Sequence, residues 1–245
     1  KWDFQAGLRN EFTQTKGTSV VNNQTNRTTY LQLFPTLFVT YTKDDKNIFS
    51  INYGKRINRP YYDRLNPFRW YLSPYAYVEG NPFLKPSFSN NVELSHIYNS
   101  FLTTSLSFSS ENNRSDQVVF TESGSSIQAT KVQNFITSYS YQLSNSVAFN
   151  ALKWLESMNQ FQLYYQAFDS SLPQTQARVK GWGAYVSSNN QVVFNESKTL
   201  LGEIDFWYQF PTVDGIYKID AMYSLDMGFK MIVNKGAQLA LNVTD

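Results

Sequence analysis

Read with a period of two, the chain breaks into segments in which apolar and polar side chains alternate. Trp2, Phe4, Ala6 and Leu8 share one face, against Asp3, Gln5 and Arg9 on the other. Leu37, Val39 and Tyr41 alternate with Thr36, Thr40 and Thr42, with Phe38 as an exception. Phe49, Ile51 and Tyr53 oppose Ser50, Asn52 and Gly54. The pattern resumes at Val92 and Leu94, at Leu102, Leu106 and Phe108, at Phe135, Tyr139 and Tyr141, and at Phe161, Leu163, Tyr165 and Ala167. It continues through Trp182, Ala184 and Val186, through Ile204, Phe206 and Tyr208, and through Tyr223, Leu225, Met227 and Phe229, and closes with Ala237, Leu239, Leu241 and Val243. These segments predict about eleven strands.

The connections between them alternate in length. Short turns are expected at Asp44-Asp45-Lys46-Asn47, near Asn99-Ser100, around Asn195-Glu196-Ser197 and at Asn234-Lys235-Gly236. Longer connections are expected at 13–28, 57–86, 111–131, 169–177 and 210–217. A soluble sandwich with Greek-key connections has no reason to alternate in this way. An up-and-down barrel in an outer membrane does, with short turns on one side and long loops on the other. In hydrocarbon every backbone N–H and C=O must find a partner within the protein, so only helices or closed sheets can span. A closed sheet facing lipid needs apolar side chains at alternate positions, and a wet lumen accepts polar ones between them. The expected fold class is therefore all-β, an antiparallel up-and-down transmembrane β-barrel. Trp2, Phe4, Leu37, Val39, Phe49, Ile51, Ile204, Phe206, Leu225 and Met227 are expected to face lipid.

Composition narrows the chemistry. Charged residues make up 16% of the 245 positions, against roughly 25% in ordinary soluble domains, while aromatics reach 17%. The 17 Tyr and 5 Trp suit strand ends, where an apolar ring and a polar tip meet an interface. A formal net charge of +2 lacks the basic stripe of a nucleic-acid binder. With no Cys and a single His, disulfides, thiolates and multi-His zinc sites are excluded, and Ser-His-Asp catalysis has little room. The uncharged stretch from 132 to 152 is long enough for a helical span, but Gln133, Asn134, Ser138, Gln142 and Asn145 forbid it one. No positively charged, apolar signal opens the chain, which starts directly in a strand at Trp2.

One stretch carries a family resemblance. Tyr53-Gly54-Lys55-Arg56-Ile57-Asn58-Arg59-Pro60-Tyr61-Tyr62-Asp63-Arg64-Leu65-Asn66-Pro67-Phe68 leads into Glu79-Gly80-Asn81-Pro82-Phe83-Leu84-Lys85-Pro86 and Asn91-Val92-Glu93-Leu94. Val213-Asp214-Gly215-Ile216-Tyr217-Lys218 and Leu239-Ala240-Leu241-Asn242-Val243-Thr244-Asp245 follow in the same order. These segments resemble the β-barrel of TonB-dependent outer-membrane receptors of the Bacteroidetes type. Such receptors carry a signal peptide, an energy-coupling box and a plug ahead of the barrel, and none of these appears in 1–245. Barrels of that transporter class have about 22 strands. The resemblance thus implies that 1–245 is one partial barrel domain from the C-terminal part of such a barrel. It implies an outer-membrane location and import of a nutrient such as a glycan or siderophore, with TonB engaged only through the absent plug. It also implies contact with outer-membrane lipid and lipopolysaccharide, and a possible surface lipoprotein partner. Two other functions stay open on the residues alone: a non-transporting barrel in an outer-membrane assembly or secretion complex, and a soluble carbohydrate-binding β module.

The candidate contact site lies in the loop 57–86. Tyr61, Tyr62, Phe68, Trp70, Tyr71, Tyr75 and Tyr77 offer stacking faces, and Pro60, Pro67, Pro74 and Pro82 cut the loop's entropy. Arg56, Arg59 and Arg64 could draw anionic lipopolysaccharide or an anionic ligand, or pair with Asp63 and Glu79. The competing role for the rings is to pack the loop onto itself and the barrel rim. Glu203 and Asp205 share the polar face of one strand and read as lumen lining rather than as a catalytic pair. His96 follows the apolar alternation near an interface. The Asn-x-Ser/Thr triplets at Asn23, Asn26, Asn113, Asn195 and Asn242 are those expected by chance in a chain rich in these residues. No phosphate-binding glycine loop occurs, no cofactor or metal is implied, and nothing points to an enzyme.

Overall fold

A computed structural model describes residues 1–19, 24–121 and 124–244. Eleven strands run side by side as one continuous antiparallel wall. They are β1 (Trp2–Ser19), β2 (Gln24–Asp44), β3 (Asn47–Asn58), β6 (Ser87–Tyr98), β7 (Leu102–Thr121), β8 (Gln128–Leu152), β9 (Leu155–Ser170), β10 (Arg178–Val193), β11 (Leu200–Gln209), β14 (Met222–Asn234) and β15 (Ala237–Val243). Each contains one of the segments picked out by alternation. A one-turn helix, α1 (Tyr62–Leu65), and two short strands, β4 (Arg69–Ser73) and β5 (Ala76–Glu79), lie between β3 and β6. A hairpin of β12 (Thr212–Asp214) and β13 (Tyr217–Ile219) lies between β11 and β14. Among the described residues the wall does not close, so β1 and β15 are its edges.

The register sorts side chains into two faces. One row of partners reads Phe4, Val39, Ile51, Leu94, Leu106, Leu143, Leu163 and is apolar throughout. The neighbouring row on the opposite face reads Asn52, Glu93, Ser107, Gln142, Tyr164, Gly183. All ten residues expected to face lipid lie on the first face, and nine of them, all but the half-exposed Val39, are exposed large hydrophobics. Phe38 falls on the polar face, as its break in the alternation requires. Glu203 and Asp205 also lie there, Asp205 directly opposite Asp226. An apolar surface this exposed is stable only where lipid covers it.

The strands are inclined, and the register shows it. A single row runs Trp2, Tyr41, Phe49, His96, Thr104, Asn145, Phe161, Val186, Tyr208, Tyr223. Phe49 lies just past the turn at Asp45-Lys46, whereas Tyr208 is one residue from the loop end of β11. The row therefore climbs from the turn side to the loop side as it crosses the wall, the inclination of roughly 40° typical of such sheets. At its lower end the rings form an aromatic belt. Trp2 stacks on Tyr41 at 4.5 Å, and Phe49 stacks on His96 at 4.3 Å. The His96 Nε2 also bonds Asn47 Oδ1 at 3.0 Å. Tyr165 against Trp182 and Tyr208 against Tyr223 mark the upper belt.

The short turns occur where expected, with a further one at Lys153-Trp154 between β8 and β9. Two expected long loops are instead strand. β1 continues to Ser19 and β2 starts at Gln24, while β7 reaches Thr121 and β8 starts at Gln128. β8 has 25 residues, where about 9–11 cross a bilayer. Above the membrane both faces meet water, so pairing continues while the alternation that betrays a strand disappears. Thr13, Thr15, Thr18, Thr25, Thr28 and Thr29 fill that stretch, and β-branched residues hold it extended. Asn23 and Asp245, both singled out in the sequence, lie outside the described residues.

Opposite faces of neighbouring positions should respond oppositely to charge. Leu106→Arg, on the outward face, is expected to destabilise the barrel by ~2–4 kcal/mol, read as loss of the folded, heat-modifiable band in electrophoresis. Ser107→Arg, facing the lumen, is expected to leave that band unchanged.

Candidate ligand site at the loop-side mouth

The site is assembled by two excursions from the loop side that fold against the lumen face. The first is the connection 59–86. Its start is tied down by Arg59, whose Nη2 donates to Glu11 Oε2 at 2.5 Å and whose Nε donates to the Tyr30 hydroxyl at 3.0 Å. These two bonds, Glu11 first, raise the Arg59 pKa above its ordinary value. α1 then forms a single turn, with the Asp63 carboxylate accepting from the Arg64 backbone N–H at 2.9 Å. β4 pairs with β5, and β5 runs parallel to the upper end of β8, beyond the point where β9 has ended.

The family-like motif residues are what dock this excursion. A Cβ on Gly80 would lie 2.1 Å from the Asn66 carbonyl oxygen and 2.8 Å from that of Arg64, so only glycine lets the two arms of the loop cross. Asn81 N–H donates to the Arg64 carbonyl at 2.6 Å, and its side-chain amide donates to the Val132 carbonyl at 3.0 Å. Lys85 and Asn134 exchange two bonds, the Lys85 N–H to Asn134 Oδ1 and the Asn134 amide back to the Lys85 carbonyl, at 2.8 and 2.9 Å. Asn113 donates to the Pro86 carbonyl at 2.9 Å. Leu84 and Pro86 are buried beneath.

The second excursion is the β12–β13 hairpin. Gly181 and Gly183 lie on the lumen face of β10 and leave its seat open. A Cβ on Gly183 would come within 2.5 Å of Thr212 Oγ1, and one on Gly181 within 3.3 Å of Val213. Val213 joins Val118, Phe135, Ile136, Phe168 and Val179 in a buried apolar cluster. The hairpin tip reaches as far as β7, where Arg114 Nη2 pairs with Asp214 at 2.9 Å and with Asp116 at 3.8 Å. Gly215, with φ +59°, packs against Asp116, so the "VDG" of the sequence is a clasp.

Where the first excursion meets β6 and β7 lies a pocket of about 300 Å³ whose walls include Arg59, Arg64, Arg114, Tyr61, Ser87 and Glu111. Glu111 accepts from the Ser87 hydroxyl at 2.5 Å. Arg59 and Arg114 are each matched by acids, while the Arg64 guanidinium lies 5.8 Å over the Tyr61 ring with no carboxylate partner among the described residues. The pocket wall thus holds three arginines and one carboxylate, Glu111.

The expected contact residues divide. Tyr61, Tyr62, Phe68, Trp70, Tyr71 and Tyr75 all stand exposed at this end of the wall, Tyr62 at 91% and Trp70 at 68%. Tyr77 does not, being 2% exposed, with the Arg69 guanidinium 4.5 Å over its ring. It belongs to the loop's small core because β5 is sandwiched between β4 and β8. The pairing of Arg59 and Arg64 with Asp63 and Glu79 is not what forms either. Glu79 pairs with Arg69 at 3.2 Å and Lys131 at 3.4 Å, because β5 lies against β8. Arg69 is held above its ordinary pKa, first by its bond with Tyr71 and then by nearby Tyr77 and Glu79. Sequence reasoning missed Arg114, Glu111 and Lys131, whose strand stretches show no alternation. Glu203 and Asp205 line a different cleft of about 480 Å³ with Glu156, far from this pocket at the turn side. Among the described residues no group of three His, Asp or Glu could hold a metal ion.

With this geometry in view, comparison decides the class. Residues 1–245 match the outer membrane protein β-barrel family. The chain belongs to that family, and is an outer-membrane protein. A soluble carbohydrate-binding module is thereby set aside. No curated protein matches the chain. Solved structures share its fold. The siderophore receptor PirA from Pseudomonas aeruginosa is 13% identical with a TM-score of 0.64, covering 99% of this chain and 45% of its own. FpvAI, in complex with pyocin S2, is 13% identical with a TM-score of 0.61, covering 99% and 31%. A mutant of the ferric enterobactin receptor PfeA from Pseudomonas aeruginosa is 12% identical with a TM-score of 0.55, covering 87% and 34%. The chain spans less than half the length of these receptors.

In this family member the loop's attachment should depend on Gly80. Gly80→Ala is expected to release 59–86 without unfolding the wall. Limited proteolysis should then cut this loop at least ten times faster, while the heat-modifiable band persists.

Proposed function

We propose that this chain is barrel wall from the C-terminal part of a Bacteroidetes-type TonB-dependent receptor, and that the parent protein imports a nutrient. The ligand class we propose is an anionic or aromatic-stacking solute, such as a siderophore or an acidic glycan. The observation that carries the proposal is Arg64: a cation without an acid partner among the described residues, in the wall of a pocket under the 59–86 connection and over the exposed Tyr61 ring. A guanidinium in a partly enclosed site favours carboxylate or phosphate through paired N–H donors. Rings beside it add about 0.5–1.5 kcal/mol per aromatic contact. The proposed role is binding and passage. TonB would act on a plug, lipid and lipopolysaccharide would surround the outward face, and the exposed rings would be open to a surface lipoprotein. A non-transporting barrel in an assembly complex would keep the same wall, but it gives no reason for an unmatched arginine in a pocket.

The full-length receptor in its own outer membrane tests this. Arg64→Glu is expected to lower binding and uptake of an anionic ligand about tenfold or more, roughly 1.4 kcal/mol, and to weaken the dependence of uptake on salt. Trp70→Ala with Tyr71→Ala is expected to weaken binding further. Unchanged uptake in both variants, with the barrel assembled, would overturn the proposal and leave the loop purely structural.

A further inference from the structure

The outward face carries a contiguous polar patch where lipid should demand apolar side chains. On β7 the outward series reads Leu102, Thr104, Leu106, and on β8 it reads Val147, Asn145, Leu143. On β9 it reads Leu155, Ser157, Asn159, Phe161, and on β10 it reads Val192, Asn190, Ser188, Val186. In each of these four strands the polar residues have apolar outward residues on both sides along the strand. Phe149 and Phe194 lie on the turn side of the patch. The patch therefore interrupts the apolar outward face in its turn-side half. A second outward polar row, Lys55, Asn90 and Ser110, lies toward the loop side and, unlike this patch, carries a charge.

The six side chains are bonded in two sets, four on β9 and β10 and a pair on β7 and β8. Ser157 donates to Asn190 Oδ1 at 2.6 Å, Asn190 to the Ser188 hydroxyl at 2.9 Å, Ser188 to Asn159 Oδ1 at 2.7 Å, and Asn159 back to the Ser157 hydroxyl at 2.8 Å. This is a closed ring across two strands. Asn190 gives its second amide hydrogen to the Ile204 carbonyl at 3.2 Å. Thr104 donates to Asn145 Oδ1 at 2.8 Å. Among the described residues the Asn145 amide nitrogen has no acceptor, and Asn159 has one hydrogen left over. In hydrocarbon such donors are costly to leave unmade, and lipid tails offer nothing to accept them.

We infer that this patch is a subunit interface, and that the partner is a second copy of this chain. Three observations select a copy. The patch is built of Asn, Ser and Thr, each a donor and an acceptor, so it is complementary to itself. It contains no charge, so two copies would not repel. Its side chains are small, which lets two surfaces approach closely, as interfaces within membranes require. A two-fold axis along the membrane normal brings identical residues together at identical depth. The free Asn145 and Asn159 donors then meet amide and hydroxyl oxygens of the partner. The bulky row Phe4, Val39, Ile51, Leu94 on the other part of the wall suits lipid instead.

The test uses the full-length receptor in outer membranes. The chain has no cysteine, so single replacements report their own contacts. On mild oxidation, Asn145→Cys and Ser188→Cys are expected to give a dimer-mass band at least ten times stronger than Leu37→Cys, an outward position on β2. Combining Asn145→Leu, Asn159→Leu and Asn190→Leu is expected to convert the dimer to monomer in sedimentation, while the heat-modifiable band shows an intact barrel. The inference is overturned if the folded cysteine variants give no dimer band. It is equally overturned if they link only to a different protein, or if the triple-leucine protein remains dimeric.

Discussion

The constraint on which everything else rests is that no backbone polar group can go unpaired in hydrocarbon. From β1 to β15 each strand has its antiparallel neighbour, and the ladder fixes the register of every side chain. Once the register is fixed, so are the two faces, because a slip by one residue would turn each apolar row into the lumen. The wall accordingly has little core of its own. Its leucines, phenylalanines and isoleucines stay exposed on one side and rely on lipid for burial, and its serines and glutamines face a wet interior.

Above the bilayer that constraint relaxes, and a different one takes over. Long hairpins and loops in water must find their own packing to offset the entropy of being ordered. This chain solves the problem by folding two excursions back against the lumen face. Each seat depends on the absence of a side chain: Gly80 where the arms of the 59–86 loop cross, Gly181 and Gly183 where β12 lies on β10. The buried apolar cluster around Ile136 and Val213 forms here because this is where water, not lipid, surrounds the sheet. The motif that gives the sequence its family likeness therefore serves mainly to attach a loop. Attachment is what leaves the neighbouring rings and Arg64 held in place rather than free.

Charge follows the same division. Arginines gather at the mouth, where Arg59, Arg64 and Arg114 share a pocket wall, and carboxylates of Glu156, Glu203 and Asp205 line the lumen near the turns. Exposed ion pairs contribute little stability each. Here they act as positioning contacts: Arg59 joins the loop to the β1–β2 hairpin, and Arg114 joins β7 to the tip of the β12–β13 hairpin.

The sequence by itself determined the strands and their faces, because lipid on one side and water on the other write a period of two into the chain. All eleven wall strands, the short turns other than Lys153-Trp154 and the lipid-facing residues were legible for that reason. What it could not show were the strand stretches above the membrane, such as Thr13–Thr18 and Val118–Thr121, where both faces are wet and no period is imposed. Nor could it show that Tyr77 is buried while Tyr62 is not, since both sit in one aromatic loop and only the pairing of β5 with β8 separates them. Arg114 is the clearest case. Nothing local distinguishes it from any other arginine, and it meets Asp214, a hundred residues later in the chain, only because a hairpin folds inward across four strands. Contacts of that kind depend on where distant segments are brought in space, and tertiary structure alone decides them.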